Sequence, residues 1–558
     1  MNKSLILSLS AGVLVALSSC SGKMGALSAD HFTVDPNPLE TVGGEVPATI
    51  NGVFPEKYMK KKATVTVVPE LRYGGGQVVK GQGATFQGEG VMGNNQSISY
   101  RLGGRYTMKT NFDYTPAMQQ SELYLTFNAR IGNKTVKVPA VKIANGVIAT
   151  SELYRQTLLN GGACIAPDSF QRVNVMKQEA NVRFLVNQAN LRQSELKNNS
   201  VQEFVKLLKK INADREQLNI QNVEVSAYAS PEGGFDFNDK LANKRQTVSE
   251  GYVKQQLKNT KVDAPIDAHY TAQDWEGFQQ LVQASNIQDK DVILRVLSMY
   301  KDPQEREQQI RNMSEGFREL ANEVLPELRR SRLIINYETI GRDDEQIKAQ
   351  YAADPVKLSL EELLYAATLE ENPAKQAAIY KKTTELYDKD YRAYNNLGVL
   401  AFNEGNNAAA ADYFKQAQHV DSKAPEAFAN QALLALQQGN VKEAEAKLAD
   451  AVNANGFNEV MGNLNIAKGN FAQAAENLKN SDSNSAALAQ ILNKDYAAAI
   501  LTLKNIKHPD AMTSYLHAII SARMKNKYAS NSYLKEALQK DSSLSKYAEK
   551  DLEFAKVR

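Results

Sequence analysis

A 34-residue period in the last third of the chain constrains its fold more than any other feature. The clusters Glu371-Asn372, Glu404-Gly405-Asn406 and Gln438-Gly439-Asn440 repeat in phase, and Gly or Asn at such points ends one helix and opens the next. Between them, Tyr394, Leu397, Gly398, Ala410, Phe414 and Ala417 occupy packing positions, and Phe428, Ala432, Ala444, Leu448 and Ala451 do the same one unit later. A unit of this length is one helix pair, which cannot bury its apolar face alone, so successive units must stack into a continuous core. Small residues at facing positions let the paired helices approach closely. The pattern predicts about six pairs over 351–558. Units are shortened at Gly469-Asn470 and Lys494-Asp495, and a last pair is marked by Ala518, Leu534 and Ala537.

These positions resemble those of tetratricopeptide repeats. The resemblance implies an all-α solenoid whose concave face holds an extended peptide or helix of a protein partner.

A second organising stretch runs from Asn222 to Lys258. Val223, Val225 and Ala227 alternate with Glu224, Ser226 and Tyr228, as a strand requires. Ser230-Pro231-Glu232-Gly233-Gly234 then forces a turn, and a helix is predicted from Asn238 with Leu241, Val248 and Tyr252 on its apolar stripe. Strand, Gly-bearing loop and a helix starting Asn-x-x-Leu-x-x-x-Arg resemble the core signature of OmpA-like domains. Gly233, Asn238, Leu241 and Arg245 fit that signature, while Ser230 stands where the family usually has Asp.

The resemblance implies an α+β domain of order β-α-β-α-β-β over 176–340. Val182 to Val186 is read as its first strand, Pro265 to Thr271 as its third and Ser331 to Thr339 as its fourth. Ser200 and Glu203 are read as the capping box of its first helix. The residues 272–330 form a mostly helical insert carrying the only tryptophan, Trp275. Insert and SPEG turn together resemble a variant of OmpA-like lipoproteins common in Bacteroidota.

The family grips the diaminopimelate stem peptide of peptidoglycan, so the implied site is Ser230, Glu232, Gly233, Asp236, Asn238 and Arg245. Arg245 would offer its fork to a carboxylate, and backbone N–H groups at the start of the Asn238 helix would add to it. The ammonium needs a carboxylate, which Glu232 or Asp236 would supply in place of the missing Asp. A purely structural reading pairs Arg245 with Asp239 or Glu250 and makes Asn238 a helix cap.

The N-terminus reads as a targeting segment. Lys3 precedes an apolar run from Leu5 to Leu17 that closes on Leu17-Ser18-Ser19-Cys20. This resembles a bacterial lipobox, which implies a signal peptide over 1–20, lipid on Cys20 and membrane anchoring without a spanning helix. Ser21 follows without the Asp that favours inner-membrane retention. The expected location is the periplasmic face of the outer membrane, with exposure at the cell surface as the alternative.

Residues 29–150 read as all-β, with runs at Ala63 to Val68, Ser97 to Leu102, Arg105 to Tyr114 and Ser121 to Ile131 separated by Gly and Asn turns. Strands at this spacing suggest an immunoglobulin-like sandwich. Gly81 to Gly90 is Gly-rich but lacks a Gly-Lys-Ser/Thr ending and reads as turns. Residues 151–175 read as a linker, in which Cys164 is an idle or buried thiol.

A net charge of +3 gives no reason to expect nucleic acid, and the five histidines are scattered. No Gly-x-Ser-x-Gly, His-Glu-x-x-His or nucleotide loop occurs. A non-enzymatic envelope lipoprotein without cofactor or metal is therefore expected. In one version the OmpA-like domain holds peptidoglycan while the repeats recruit protein partners. In the other that ligand is lost and the chain is a protein–protein scaffold or assembly factor. A carboxylate facing Arg245 across a polar pocket favours the first, and a loop closed by the insert favours the second.

Overall fold

A computed structural model describes residues 24–159, 162–287, 290–312 and 314–557; the expected signal peptide and lipidated Cys20 lie outside them. The chain forms two compact units, one from Met1–Asp168 with Glu370–Arg558 and one from Ser169–Leu369.

In the first unit, strands β1 (Phe32–Asp35), β2 (Glu45–Phe54) and β3 (Ala63–Tyr73) are followed by β4 (Gln77–Lys80), β5 (Ala84–Gly88) and β6 (Gln96–Ile98). Then come β7 (Gly104–Asp113), β8 (Ser121–Ile131) and β9 (Lys134–Gly146). One sheet has the order β1-β2-β7 and the other β6-β5-β3-β8-β9, with β4 on β3. Alternate residues point inward, so Ile50, Phe54, Val65, Val67, Leu123 and Leu125 meet in one core. The Gly-rich stretch differs from its reading as turns, because Ala84–Gly88 is a strand. Its glycine allows close backbone approach, since a Cβ at Gly88 would lie 2.1 Å from the Lys60 carbonyl oxygen.

The repeats form helix pairs Tyr391–Asn403/Asn407–Val420, Pro425–Gln437/Val441–Leu448 and Phe457–Ala467/Phe471–Asn477. Asn484–Leu492/Tyr496–Asn505 and Ala511–Arg523/Lys527–Lys540 complete them. Each turn between paired helices uses one device. A left-handed residue (Gly405, Gly439, Gly469, Lys494, Lys525) is followed by Asn406, Asn440, Asn470, Asp495 or Asn526 at the next N-cap. These are helix-turn-helix repeats of tetratricopeptide type: the turns at Gly405 and Gly439 keep the period read from the sequence, and those at Gly469, Lys494 and Lys525 follow at shorter intervals. The expected first pair is divided, because Leu360–Thr368 belongs to the second unit and Pro373–Leu386 to the first.

In the second unit β10 (Val173–Arg183), β11 (Leu218–Tyr228), β12 (Ile266–Thr271) and β13 (Arg330–Ile340) form one sheet of order β10-β13-β11-β12. The β11–β12 pair is parallel and the other pairs are antiparallel. Helices Asn199–Ala213 and Phe235–Thr260 bring Val201, Phe204, Leu208, Val253 and Leu257 onto Val223, Val225, Leu333 and Ile335.

Several local readings are corrected. The first strand spans Val173–Arg183 and not 182–186, and the signature helix starts at Phe235, ahead of Asn238. The N-cap of Asn199–Ala213 is Asn198, whose Oδ1 accepts from the Val201 N–H at 2.9 Å. Ser200 instead donates to that same oxygen, so it supports the cap without being it. The insert folds as helices Trp275–Ala284, Lys290–Met299, Pro303–Asn312, Ser314–Glu323 and Leu325–Leu328. They pack Phe278, Val282, Ile293, Leu297 and Leu328 into a core of their own.

Candidate functional site

The loop after β11 is built around Arg245. Its helix passes beneath the loop, and the side chain lies inward, 1% exposed. Nε donates to the Gln188 carbonyl at 3.0 Å, and the two terminal nitrogens donate to the carbonyls of Tyr228 at 2.8 Å and Leu185 at 3.3 Å. The guanidinium lies 4.9 Å from the Phe184 ring centre. Burial, then the Arg329 charge, push it down to about 10, so it stays protonated at neutral pH. Its fork is spent on backbone carbonyls, and the expected pairing with Asp239 or Glu250 is corrected, since neither is its partner.

The other predicted residues are also bonded from within. Ser230 Oγ donates to Glu232 Oε1 at 3.0 Å, and Arg329 donates to the same oxygen at 2.6 and 2.9 Å. The Gly233 N–H donates to Glu307 Oε1 at 2.8 Å. Asn238 lies one turn into its helix, and its Nδ2 donates to the carbonyls of Ser230 at 3.0 Å and Gly233 at 3.1 Å. It therefore clamps the loop and does not cap the helix. Gln273 adds a bond to the Gly233 carbonyl at 3.1 Å. Asp236 alone is exposed, in the first helical turn, where the helix dipole favours its charge.

The insert thus covers the loop. Pro231 and Glu232 meet Trp275, Phe278, Ile310, Leu320 and Leu325 around a small apolar pocket of about 20 Å³. Glu307, Arg329 and Gln273 were not found in the sequence. They lie far from the signature, and no local pattern marks a charge that folds back onto a distant loop.

A second site lies on the first helices of the repeat pairs. Asn395 and Asn396 on Tyr391–Asn403 and Asn430 on Pro425–Gln437 are all buried. Asn430 Oδ1 accepts from the Cys164 N–H at 2.7 Å, and its Nδ2 donates to the Cys164 carbonyl at 2.8 Å. Asn395 donates to that carbonyl at 2.9 Å. Asn396 brackets Ala166 in the same way, accepting from its N–H at 2.8 Å and donating to its carbonyl at 3.0 Å. Asn455 donates to the Ile165 carbonyl at 3.1 Å, and Arg392 to those of Asp168 at 3.1 Å and Pro167 at 3.4 Å.

Residues 162–168 of the expected linker are therefore held by the repeat helices themselves. Cys164 is buried as predicted, and burial pushes its thiol up. One signal for this site was legible: Asn is a poor residue for a helix interior, yet Asn395 and Asn430 recur close to the repeat period.

Among the described residues, no group of three or more His, Cys, Asp or Glu side chains is placed to hold a metal, and no helix is long and apolar enough to cross a membrane. No family model matches the sequence, and no curated protein matches it significantly. Among solved structures, a tetratricopeptide repeat protein from Parabacteroides merdae is 14% identical, with a TM-score of 0.28, over 38% of this chain and 91% of that one. Pseudomonas aeruginosa PilF is 16% identical (TM-score 0.26; 37% of this chain, 98% of that one). PilW, a type IV pilus biogenesis factor, is 17% identical (TM-score 0.26; 33% and 91%). Likenesses this distant carry no argument, and the repeat assignment rests on the chain's own helix pairs.

Proposed function

We propose that this chain is a non-enzymatic cell-envelope lipoprotein that works as a protein–protein scaffold, with an OmpA-like domain that has given up peptidoglycan. In this reading lipid on Cys20 anchors it to the outer membrane, on the periplasmic face, and the repeats take a protein partner. One observation carries the loss of ligand: Arg245, Glu232 and the Gly233 N–H, the groups a diaminopimelate unit would need, are bonded to the chain itself. A ligand would have to break those bonds and lift the insert.

The domain readings have support of their own. The β-α-β-α-β-β order of β10 to β13, with a helix crossing between the parallel strands, is what an OmpA-like domain requires. The sheets β1-β2-β7 and β3-β8-β9 follow the pairing of an immunoglobulin-like sandwich.

Sedimentation of the chain with purified peptidoglycan sacculi tests the reading. The expected result is no more protein in the pellet than without sacculi. Sedimentation of the parent that is lost in Asp236→Asn, an exposed change that leaves the loop bonds intact, would overturn it in favour of a cell-wall tether.

A further inference from the structure

The hold on residues 162–168 has a specific character. Every bond described above from Asn395, Asn396, Asn430, Asn455 and Arg392 to this segment goes to its main chain. The amides also brace one another, Asn430 Nδ2 donating to Asn395 Oδ1 at 2.9 Å and Asn395 Nδ2 to Asn396 Oδ1 at 3.1 Å. Such a ladder fixes an extended backbone without reading its side chains, as strand-like peptide recognition does. Sequence enters only through shape. Cys164 and Ala166 are each 1% exposed and leave room for small side chains only, whereas Ile165 between them is 49% exposed. Pro167 offers no N–H, and the groove asks for none there.

We propose that the repeat groove is a receptor for extended segments of the pattern small–any–small–Pro, that residues 162–168 are its resident ligand in cis, and that a protein partner enters by presenting such a segment and displacing them. The proposal rests on the reading of the repeats as the partner-binding module and adds the chemistry of that partner. A buried asparagine ladder suits an exchangeable occupant because the bonds it makes can be remade by any backbone in the same register. Release is costly while the groove is empty, since the amides then lose their partners. Displacement by a matching segment replaces every bond it breaks.

Cys164 supplies the readout. With Cys20→Ser it is the only thiol, and it is covered while the segment is seated. The experiment follows the labelling of Cys164 by a disulfide reagent in the full chain. A synthetic peptide of residues 162–168, with Ser in place of Cys164, is added in increasing amounts. A tethered segment competes at an effective concentration of the order of millimolar, so the peptide is taken into that range.

The expected result is a saturable increase in labelling rate of about tenfold or more, absent with a peptide carrying Leu at the Ala166 position. Asn430→Ala should raise the basal rate and weaken the response to peptide. A rate in the parent that no peptide concentration changes would overturn the proposal and make the segment a permanent clamp. So would equal acceleration by the Leu peptide. The parent chain carries this test even where the variant fails to fold. Neither outcome bears on sacculi binding, so the scaffold reading stands or falls separately.

Discussion

Replacing Arg245 by Ala removes its bonds to the carbonyls of Leu185, Gln188 and Tyr228, of which Leu185 keeps the Gln188 N–H, and empties the buried space against Phe184. Unsatisfied buried acceptors cost about 1–3 kcal/mol each, with partial relief where water enters. With the space it leaves, Arg245→Ala should lower the stability of the second unit by about 2 kcal/mol. Arg245→Lys should recover little, because one ammonium cannot reproduce a planar fork aimed at three carbonyls. Urea unfolding followed by Trp275 fluorescence reads this directly, since the sole tryptophan lies in that unit. A midpoint unchanged in the Ala variant would contradict the structural role. The same residue marks the limit of sequence reading at this scale. Its place on the helix was legible from Asn-x-x-Leu-x-x-x-Arg, but what it bonds was not, because backbone carbonyls leave no signature in a sequence.

At the scale of elements, two glycines in helix interiors make opposite demands. A Cβ on Gly398 would lie 2.4 Å from the Phe414 ring of the paired helix, whereas Gly251 on Phe235–Thr260 has nothing within 4 Å. Alanine is favoured over glycine in a helix by about 1 kcal/mol. Gly251→Ala should realise most of that gain, while Gly398→Ala should lose about 1–3 kcal/mol through overpacking. Thermal unfolding of the two variants beside the parent checks the sign of each, and destabilisation by Gly251→Ala would show that open space does not decide the outcome. The repeat helices were legible because each turn needs a left-handed residue, Gly in three of the five, followed by an Asn or Asp cap. The first helix of the second unit was misread by two residues because Asn198 and Ser200 both have capping chemistry, and only the β10 backbone beside them decides which one caps.

At the scale of the whole molecule, the sequence hid which segments fold together. The strands of 29–150 were legible by alternation, yet nothing local says that this region joins residues 370–558 in one unit. The join is made across several hundred residues by Leu153, Tyr154 and Leu158 in the repeat core, by the bonds to residues 162–168, and by further hydrogen bonds. Thr150 donates to Glu553 at 2.5 Å, Thr157 meets Ser485 at 3.0 Å, and Tyr547 donates to the Ala149 carbonyl at 3.3 Å. Asp551 lies in this region and receives the Tyr515 hydroxyl at 2.7 Å.

Burial, and then the Glu553 carboxylate, raise Asp551 from 3.8 to about 6. The folded chain therefore binds this proton more tightly than the unfolded chain does. The stabilisation is complete below about pH 4 and is lost as the pH rises through about 6, a change of about 3 kcal/mol. Glu40 and Glu152 are raised by burial in the same unit and add slope of the same sign. Asp551→Asn removes only its own share, so the difference between parent and variant should shrink towards acid and widen in the variant's favour above pH 6. Far-UV circular dichroism in urea at several pH values measures that difference for the repeats. The Trp275 transition, in a unit with a separate core, should not carry it. A difference that stays constant with pH would mean that Asp551 ionises alike in the folded and unfolded chain.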